Sequence, residues 1–353
     1  MKISVLVLVY NNLKLKHPLN KVTLLIALLL KISNAVCQNK KSKYSTSIVS
    51  FAEKAVIQAN INTQADSYSL QSENNSNYTI STNNQFRLDL SLNYDFIGLT
   101  IGFSPKFIPG NNDNDLKGES SYQDFRFLLF LGNWVQELQY RKVEGFYIEN
   151  SKDLIPNWVE GNDPYVQFPN LKTIFWGGST SYILNPNFSL KNLVANTEWQ
   201  RKSAGSFIPT LNYSYTHLSG TIGKSKIYEN NFNISIAPEY YYTLVIHQNW
   251  FVSLSTSPSF GIRFSKDGEE GTNVKESNIY WPISFDGGLQ IGYSSSSFFY
   301  GANLKFETTW YNEDSKTNIL NDRVFAKIYL GYRFDAPKKV KKTINMIKEK
   351  LGQ

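Results

Sequence analysis

The feature that most constrains this chain is an alternation of apolar and polar side chains that recurs along most of its length. The run VFAKIYLGYRF, residues 324–334, carries an apolar residue at every second position. Successive side chains of a β-strand point to opposite faces of a sheet, so this run predicts a strand with one apolar and one polar face. FRLDLSLNY (86–94) and IGLTIGFS (97–104) alternate in the same way. The chain is therefore predicted to be all-β.

About twelve such runs occur, and they are long enough for the roughly nine to eleven residues of a tilted membrane-spanning strand. Closing them into a ring removes the unpaired edges of the sheet. We therefore predict an antiparallel transmembrane β-barrel of about 12 strands. The runs cover residues 86–94, 97–104, 121–132, 134–148, 171–184, 188–201, 206–218, 232–246, 250–264, 280–293, 298–311 and 324–334.

Aromatic residues favour a membrane barrel over a soluble sheet. The chain holds 22 Tyr, 23 Phe and 7 Trp, and many of them lie near predicted strand ends. Outer-membrane barrels place aromatic girdles at both membrane interfaces. The predicted girdle residues are Trp134, Trp176, Trp199, Trp250, Trp281, Trp310 and Phe334.

The N-terminal residues have the pattern of a signal peptide. A basic stretch precedes the apolar run VTLLIALLL (22–30), and Ser33 and Ala35 supply small residues at a cleavage site. We predict a signal peptide over 1–35, or as far as 38, and hence export to the outer membrane of a Gram-negative bacterium. Acylation of the single cysteine, Cys37, is the weaker alternative because Val36 before it is bulky.

The remaining chain is predicted to have three parts. Residues 36–83 form an N-terminal periplasmic segment with room for one strand, 84–335 form the barrel, and 336–353 form a basic amphipathic periplasmic helix. In that tail, apolar residues from Val340 to Leu351 fall on one helical face and lysines fill the other. The helix is expected to contact anionic lipid headgroups or a periplasmic envelope partner.

One conflict follows from this topology. If both termini are periplasmic, the long connections 107–120 and 149–170 fall on the periplasmic side, whereas long loops of such barrels are usually extracellular. An additional strand within 45–83, or a merged pair of strands, would change the count.

Net charge argues against a nucleic-acid partner. The chain carries +7, but residues 1–35 hold five Lys and no acid, and residues 336–353 contribute +5. The part between them carries −3. A body without a basic patch cannot neutralise several phosphates. The oligomeric state is not determined by the sequence.

Three blocks carry a resemblance to a known family. RKVEGFY, QRKSAGSF and NWFVSLSTSPSFG resemble successive blocks of a Bacteroidetes outer-membrane protein family that is catalogued as a domain of unknown function. The resemblance covers residues 45–335 and implies an outer-membrane barrel without an assigned biochemistry.

Two sets of residues are candidates for function. The QRKSAGSF block is expected to form a structured turn, or alternatively to bind an anionic sugar or lipid phosphate through Arg201, Lys202, Ser203 and Ser206. The polar strand faces are expected to line the lumen, where mixed charges either border a narrow water path or pair as ion bridges that fill the barrel. The predicted luminal charges are Arg87, Asp89, Glu239, Arg263, Asp286, Lys305, Glu307, Arg323, Lys327 and Arg333.

The sequence contains only incomplete matches to catalytic and metal-binding motifs. His217 and Ser219 have the H-x-S spacing of the outer-membrane phospholipase family, but the Asn-Gly-Arg that follows the serine there is missing, so an esterase is only a remote alternative. GNNDNDLKGE (110–119) lacks the glycine and the final Glu of a calcium loop. We predict no enzyme, no metal and no cofactor. The expected role is a narrow pore or transporter for small solutes; the alternative is a non-conducting structural or envelope-assembly barrel that binds a partner or lipid through its loops and basic C-terminal helix.

Overall fold

The computed structural model describes residues 47–63, 67–71, 77–223, 225–272, 275–310 and 323–351. The predicted signal peptide, Cys37 and the side chain of Arg323 lie outside this part. The chain divides into two units, and the first, Tyr44–Pro337, holds all the described strands. The described part of the second unit is a C-terminal helix.

The described elements comprise strands, three α-helices and one 3-10 turn, Ser151–Asp153. The helices are α1 (Asn114–Lys117), α2 (Leu190–Val194) and α3 (Lys338–Leu351). None of the described helices is long and apolar enough to cross a membrane. The strands are β1 (Ile48–Ser50), β2 (Lys54–Asn62), β3 (Ser67–Gln71), β4 (Asn77–Ser81), β5 (Arg87–Tyr94), β6 (Ile97–Phe103), β7 (Ser121–Leu131), β8 (Trp134–Ile148), β9 (Gln167–Tyr182), β10 (Glu198–Gln200), β11 (Ala204–Ile222), β12 (Ser225–Ile246), β13 (Trp250–Glu269), β14 (Lys275–Tyr280), β15 (Ile283–Ser294), β16 (Phe298–Trp310) and β17 (Arg323–Asp335).

Twelve of these strands form a closed antiparallel barrel, as the alternation predicted. Their order around the ring is β2, β5, β6, β7, β8, β9, β11, β12, β13, β15, β16 and β17. The last strand pairs with the first, with Arg333 opposite Val56. Every barrel strand therefore has a neighbour on both sides, so no sheet edge is left open.

The barrel wall is apolar outside and polar inside. Leu90 and Ile101 on adjacent strands are 49% and 52% exposed. Asp89, which precedes Leu90 in the chain, is only 2% exposed. The same contrast separates exposed Ile328 from buried Tyr329 on β17. An apolar outer surface of this extent is stable in hydrocarbon and unstable in water, so the barrel is of the transmembrane type.

Two predictions about the barrel strands were wrong: one predicted strand is not part of the barrel, and one barrel strand was not predicted. The total of twelve is therefore unchanged. The predicted strand at 188–201 is instead α2 followed by β10, because Ser189 Oγ caps the helix by accepting from Asn192 N. The barrel begins at β2 and not at residue 84. In the β2 sequence KAVIQANIN, two of the lipid-facing positions are alanines, which weakens the apolar signal.

With β2 as the first barrel strand, the long connections 104–120 and 149–166 no longer lie at the end of the barrel where the first strand starts. Four short turns now lie at the end of the barrel where β2 starts, which we call the short-turn end. The connections 104–120 and 149–166 and the described parts of 63–86 and 270–282 lie at the opposite end, the long-loop end. The short turns cover residues 95–96, 132–133, 247–249 and 295–297.

At the long-loop end, β4 packs against β7, β8 and β9 in a small core. Its buried residues are Ile80, Tyr122, Val143, Phe146, Ile148 and Leu171. Buried Asn111 holds two segments together, because its amide donates to Phe86 O and Pro105 O and accepts from Phe86 N. In the same loops, burial lowers the pKa of Lys106, and nearby Glu119 opposes the shift.

Gly145 creates the bulge that lets β8 bend under this core. The register between β8 and β9 shifts between Glu144 and Phe146, and Gly145 has a φ of 84°. A Cβ at this position would collide with the carbonyl oxygen of Glu119. Glycine is therefore required both by backbone conformation and by space.

We predict that Gly145→Ala destabilises the barrel more than Gly132→Ala, its matched control. Gly132 also has a positive φ, 60°, but nothing lies within 4 Å of its virtual Cβ. Gly132→Ala should lower the free energy of unfolding by about 1–2 kcal/mol, the cost of a left-handed backbone conformation for alanine. We expect a loss roughly twice as large for Gly145→Ala, because the collision adds to that cost. The free energy of unfolding in urea measures both; equal losses would contradict the steric argument.

Candidate functional site

The connection between β9 and β11 does not form a turn but folds into the short-turn end of the barrel. Residues 183–203 contain α2 and β10, and β10 pairs with β1. We call residues 188–200 the plug. Asn192, Asn196 and Gln200 in it are at most 2% exposed. A polar segment buried this deeply must find hydrogen-bond partners inside the barrel.

The barrel wall supplies those partners from several strands. Asn93 Nδ2 on β5 donates to Ala195 O over 2.9 Å. Gln58 Oε1 on β2 accepts from Asn196 Nδ2 over 2.9 Å, and Gln290 Nε2 on β15 lies 3.4 Å from Leu193 O. The plug is thus held across the barrel mouth.

Arg333 on β17 is the charged anchor of the plug. Its Nε donates to Asn196 O over 2.8 Å, and its other nitrogens donate to Ser295 O and Ser294 Oγ. The guanidinium lies 4.4 Å from the ring centre of Phe51 and 4.6 Å from that of Phe299. Hydrogen bonds and cation–π contacts together offset the cost of burying this charge.

A luminal cavity of about 320 Å³ lies above the plug. Leu193 and Val194 of the plug form part of its lining, and the remainder comes from inward-facing side chains of the barrel strands. A second cavity, of about 230 Å³, is bordered by β8, β9, β11 and β12, and Glu137 lines both. The volume of the first is at the lower end of the range typical of small-molecule sites.

One wall of the lumen is filled by an ion network. Arg126 on β7 bonds Asp89 over 3.1 Å and Asp124 over 2.7 Å. Asn62 donates to the Asp89 carboxylate, and Gln139 donates to that of Asp124. Arg126 thus joins Asp89 and Asp124 in one network on this side of the barrel.

The opposite wall carries charges that make no ion pair within the described residues. Asp286 on β15 lies directly opposite Glu307 on β16, and Ser257 on β13 lies opposite Asp286. Glu239 on β12 completes the row, and its carboxylate accepts from Tyr241 Oη over 3.0 Å. We call Glu239, Asp286 and Glu307 the acidic row. Lys305 and Lys327 line the same cavity.

The structure thus divides the predicted luminal charges between different roles. Asp89 belongs to the ion network and Arg333 to the plug. Arg263 Nε donates to Asn233 Oδ1 across two strands, and Arg87 stacks on Tyr122 at the long-loop end. The others with described side chains border the cavity: Glu239, Asp286, Lys305, Glu307 and Lys327.

The predicted anion-binding residues lie at the short-turn end. Arg201 stacks 4.2 Å from the Trp199 ring and donates to Gln248 Oε1, while Lys202 is exposed. Ser203 Oγ accepts from Val245 N, and Ser206 Oγ accepts from Asn185 N. Both hydroxyls therefore bind backbone of the neighbouring segments.

His217 and Ser219 lie on β11, and His217 is engaged across the strand pair. Its Nδ1 lies 2.9 Å from Asn230 Oδ1, which also accepts from Tyr215 Oη. Within the described residues, no hydrogen bond joins His217 to Ser219, and no group of three His, Cys, Asp or Glu side chains could hold a metal ion.

Most of the predicted girdle aromatics lie on barrel strands. At the short-turn end, Trp134 contacts Tyr182, Trp250 contacts Tyr293, and Phe334 stacks with Tyr332. Towards the long-loop end, Trp281 stacks on Phe260, and Trp310 pairs with Ile283. Trp176 lies within β9, between Tyr140 and Tyr215. Trp199 is different, because it belongs to β10 of the plug and stacks on Phe51.

Sequence reasoning missed several of the residues that build this site. Asn93 and Gln290 were placed on polar strand faces but not among the candidate site residues, and Gln58, Arg126 and Glu137 were not singled out. Their common signal was available: polar residues at alternate positions of an otherwise apolar strand face the lumen. What the alternation could not supply was the plug that several of them bind.

Comparison with known proteins identifies the family. A family model described as a domain of unknown function, DUF4421, matches residues 45–334. The chain belongs to this family. The match covers nearly the whole region over which the three sequence blocks resembled such a family, whereas an origin in Bacteroidetes stays a prediction. No curated protein matches the chain.

Among solved structures, the DUF4421 chain is similar to several outer-membrane proteins at low identity. OmpT of Vibrio cholerae, folded in vitro, shares 7% identity over 84% of this chain and 100% of that chain, with a TM-score of 0.30. The β domain of the Bordetella autotransporter BrkA shares 9% over 80% and 100%, with a TM-score of 0.34. The P. putida toluene transporter TodX shares 8% over 83% and 91%, with a TM-score of 0.26. At these scores the similarities add no argument about function.

We predict that Arg126→Met destabilises the barrel by about 3 kcal/mol, the lower end of the range for breaking a buried ion pair. Asp89 and Asp124, at 3% and 1% side-chain exposure, would lose their cation, although cavity water can still reach the 35% exposed Arg126 position. The exposed pair Lys226–Glu270 gives the matched control, Lys226→Met, with an expected loss below about 1 kcal/mol.

Urea unfolding of the refolded barrel measures both variants. Adding Asp89→Asn and Asp124→Asn to Arg126→Met should recover part of the loss, because the uncompensated charges are then removed. A loss for Arg126→Met no larger than that of the control would contradict the network.

Proposed function

We propose that this protein is an outer-membrane barrel that passes a small polar solute and is closed at the short-turn end by its plug. Closed antiparallel barrels with an apolar outer band are found in the outer membranes of Gram-negative bacteria, with short turns on the periplasmic side. The plug therefore faces the periplasm, and the long loops face the exterior. The signal-peptide pattern of residues 1–35 supports export.

The observation that carries the proposal is the cavity itself. A barrel that only supported the envelope could fill its lumen with mutually satisfied side chains, as the ion network does on one wall. Here the other wall keeps Lys305, Lys327 and the acidic row around an open volume of about 320 Å³. Charges kept unpaired in a polar cavity are costly to folding and useful for contact with a passing solute.

The plug is proposed to act as a displaceable closure. Its contacts with Gln58, Asn93 and Gln290 are side-chain hydrogen bonds, each of which contributes about 1 kcal/mol. Such contacts can be broken one by one without unfolding the strands behind them. Passage then requires movement of α2 and the residues next to it, while Arg333 and the pairing of β10 with β1 keep the rest of the plug attached.

Loosening the plug should raise conductance. We expect the refolded wild type in planar bilayers to show rare, small openings, and the variant Gln58→Ala, Asn93→Ala, Gln290→Ala to show frequent, larger and salt-dependent ones. Asn212→Ala is the matched control, because Asn212 is a polar residue that lines the second cavity and makes no described contact with the plug.

A heat-modifiable gel shift establishes that each barrel has folded before it is measured. If the folded triple variant is as silent as the folded wild type, the transport proposal fails and the non-conducting alternative gains.

The second candidate function rests on α3. The helix and its flanks, residues 336–353, carry six lysines and one glutamate, and Val340, Ile344 and Ile347 fall on one helical face. A basic amphipathic helix of this kind binds anionic headgroups with its lysines and inserts its apolar face. This candidate makes the protein an envelope-assembly barrel that attaches to a second membrane surface or an acidic partner.

Vesicle binding tests this candidate on the full chain. The barrel is placed in discs of neutral lipid and sedimented with anionic or neutral vesicles. Changing Lys338, Lys339, Lys341 and Lys342 to Gln should lower anionic-vesicle binding more than 100-fold, since each lysine near such a surface contributes about 1 kcal/mol. Changing Lys152, Lys172, Lys226 and Lys275 to Gln is the control with equal charge loss; equal effects of the two sets would count against α3.

A further inference from the structure

We infer that the luminal cavity binds a small zwitterion, an α-amino acid or a short peptide, with its ammonium group at the acidic row and its carboxylate at Lys327. This inference rests on the proposed function and names the solute class that the same cavity would take. It is carried by the separation of opposite charges within one cavity.

The acidic row is the pole for the ammonium group. Asp286 and Glu307 are direct cross-strand partners, and like charges in that position destabilise a sheet. No described arginine or lysine bonds either carboxylate within 4 Å, whereas Arg126 is bonded to both Asp89 and Asp124. A bound cation would offset the repulsion between Asp286 and Glu307.

Lys327 is the pole for the carboxylate. It lies on β17, opposite Asn303 on one side and Asn62 on the other. Arg126 lines the same cavity but is already bonded to two aspartates. Lys327 is therefore the better partner for a ligand carboxylate. Lys305 also lines the cavity; it pairs with Gly288, two positions along the strand from Asp286.

A buried acceptor lies next to the carboxylate pole, on the strand that also carries Glu307. Asn303 lines the cavity, and its Oδ1 is buried without a hydrogen-bond partner in the described part of the protein. A buried acceptor without a partner costs free energy. An N–H group of a bound amino acid or peptide would satisfy it.

The size and lining of the cavity limit the ligand. A volume of about 320 Å³ suits a free amino acid or a dipeptide and is too small for a lipid or an oligosaccharide. Leu128, Leu193 and Val194 supply a modest apolar patch for a small side chain. Within the described residues the carboxylates do not form a metal cluster, so an organic cation is the better match to the acidic row.

The test uses alanyl-alanine as the probe and calorimetric titration of the refolded full chain in a neutral detergent. We expect saturable binding of the free dipeptide. N-acetylation removes its positive charge and C-amidation removes its negative charge, and each change should weaken binding at least tenfold.

Two variants assign the poles. Lys327→Gln should abolish the discrimination between the free dipeptide and its amide while keeping the discrimination against the acetylated form, and Glu307→Gln should do the reverse. Lys275→Gln, an exposed lysine on β14, is the control and should change nothing. Equal binding of the amide and the free dipeptide to the wild type would leave only a cation site and overturn the inference, as would no binding at millimolar probe.

The binding assay tests the solute class and the conductance assay tests transport, so either proposal can be contradicted without the other. If the plug-loosened variant conducts but alanyl-alanine does not bind, the barrel is a channel for another solute and this inference falls. If the dipeptide binds and no variant conducts, the site stands and the transport proposal falls.

Discussion

The structure depends on one constraint, that hydrocarbon offers no hydrogen-bond partner to the backbone. Each N–H and C=O within the membrane must be satisfied by the chain itself, which for strands requires a closed ring. The pairing of β17 with β2 provides that closure, and the ladder from Asp335 to Lys327 joins the last strand to the first. Once the ring is closed, the outer face must be apolar and the inner face is free to be polar.

Closure creates a second problem, because a ring of this size encloses more space than its own side chains fill. The protein fills part of it with the network of Arg126, Asp89 and Asp124 and part with residues 188–200. The ion network lies on one wall of the barrel, and the plug lies at its short-turn end. The space that remains is the cavity, and its position is therefore a consequence of where the network and the plug end.

Both ends of the barrel are organised by polar contacts to irregular segments. At the short-turn end, Arg333 links the plug to the turn before β16 through Asn196, Ser294 and Ser295. At the long-loop end, Asn111 and the core around Phe146 order the loops over the strands. The barrel wall is thus bordered at each end by an irregular segment held through side-chain contacts.

The sequence by itself determined the barrel and which face of each strand meets lipid, because alternation is a local property that every strand carries independently. It also indicated which charges turn inward, such as Asp286 and Lys327. It could not determine that residues 188–200 leave the barrel wall and form the plug. Apolar and polar side chains alternate in this short segment almost as regularly as in a strand. Nor could it show that Arg126 is bonded to two aspartates while Lys327 makes no ion pair with a described residue. Those outcomes depend on which side chains meet across the lumen, and only closure of the ring brings β7, β15 and β17 around one cavity.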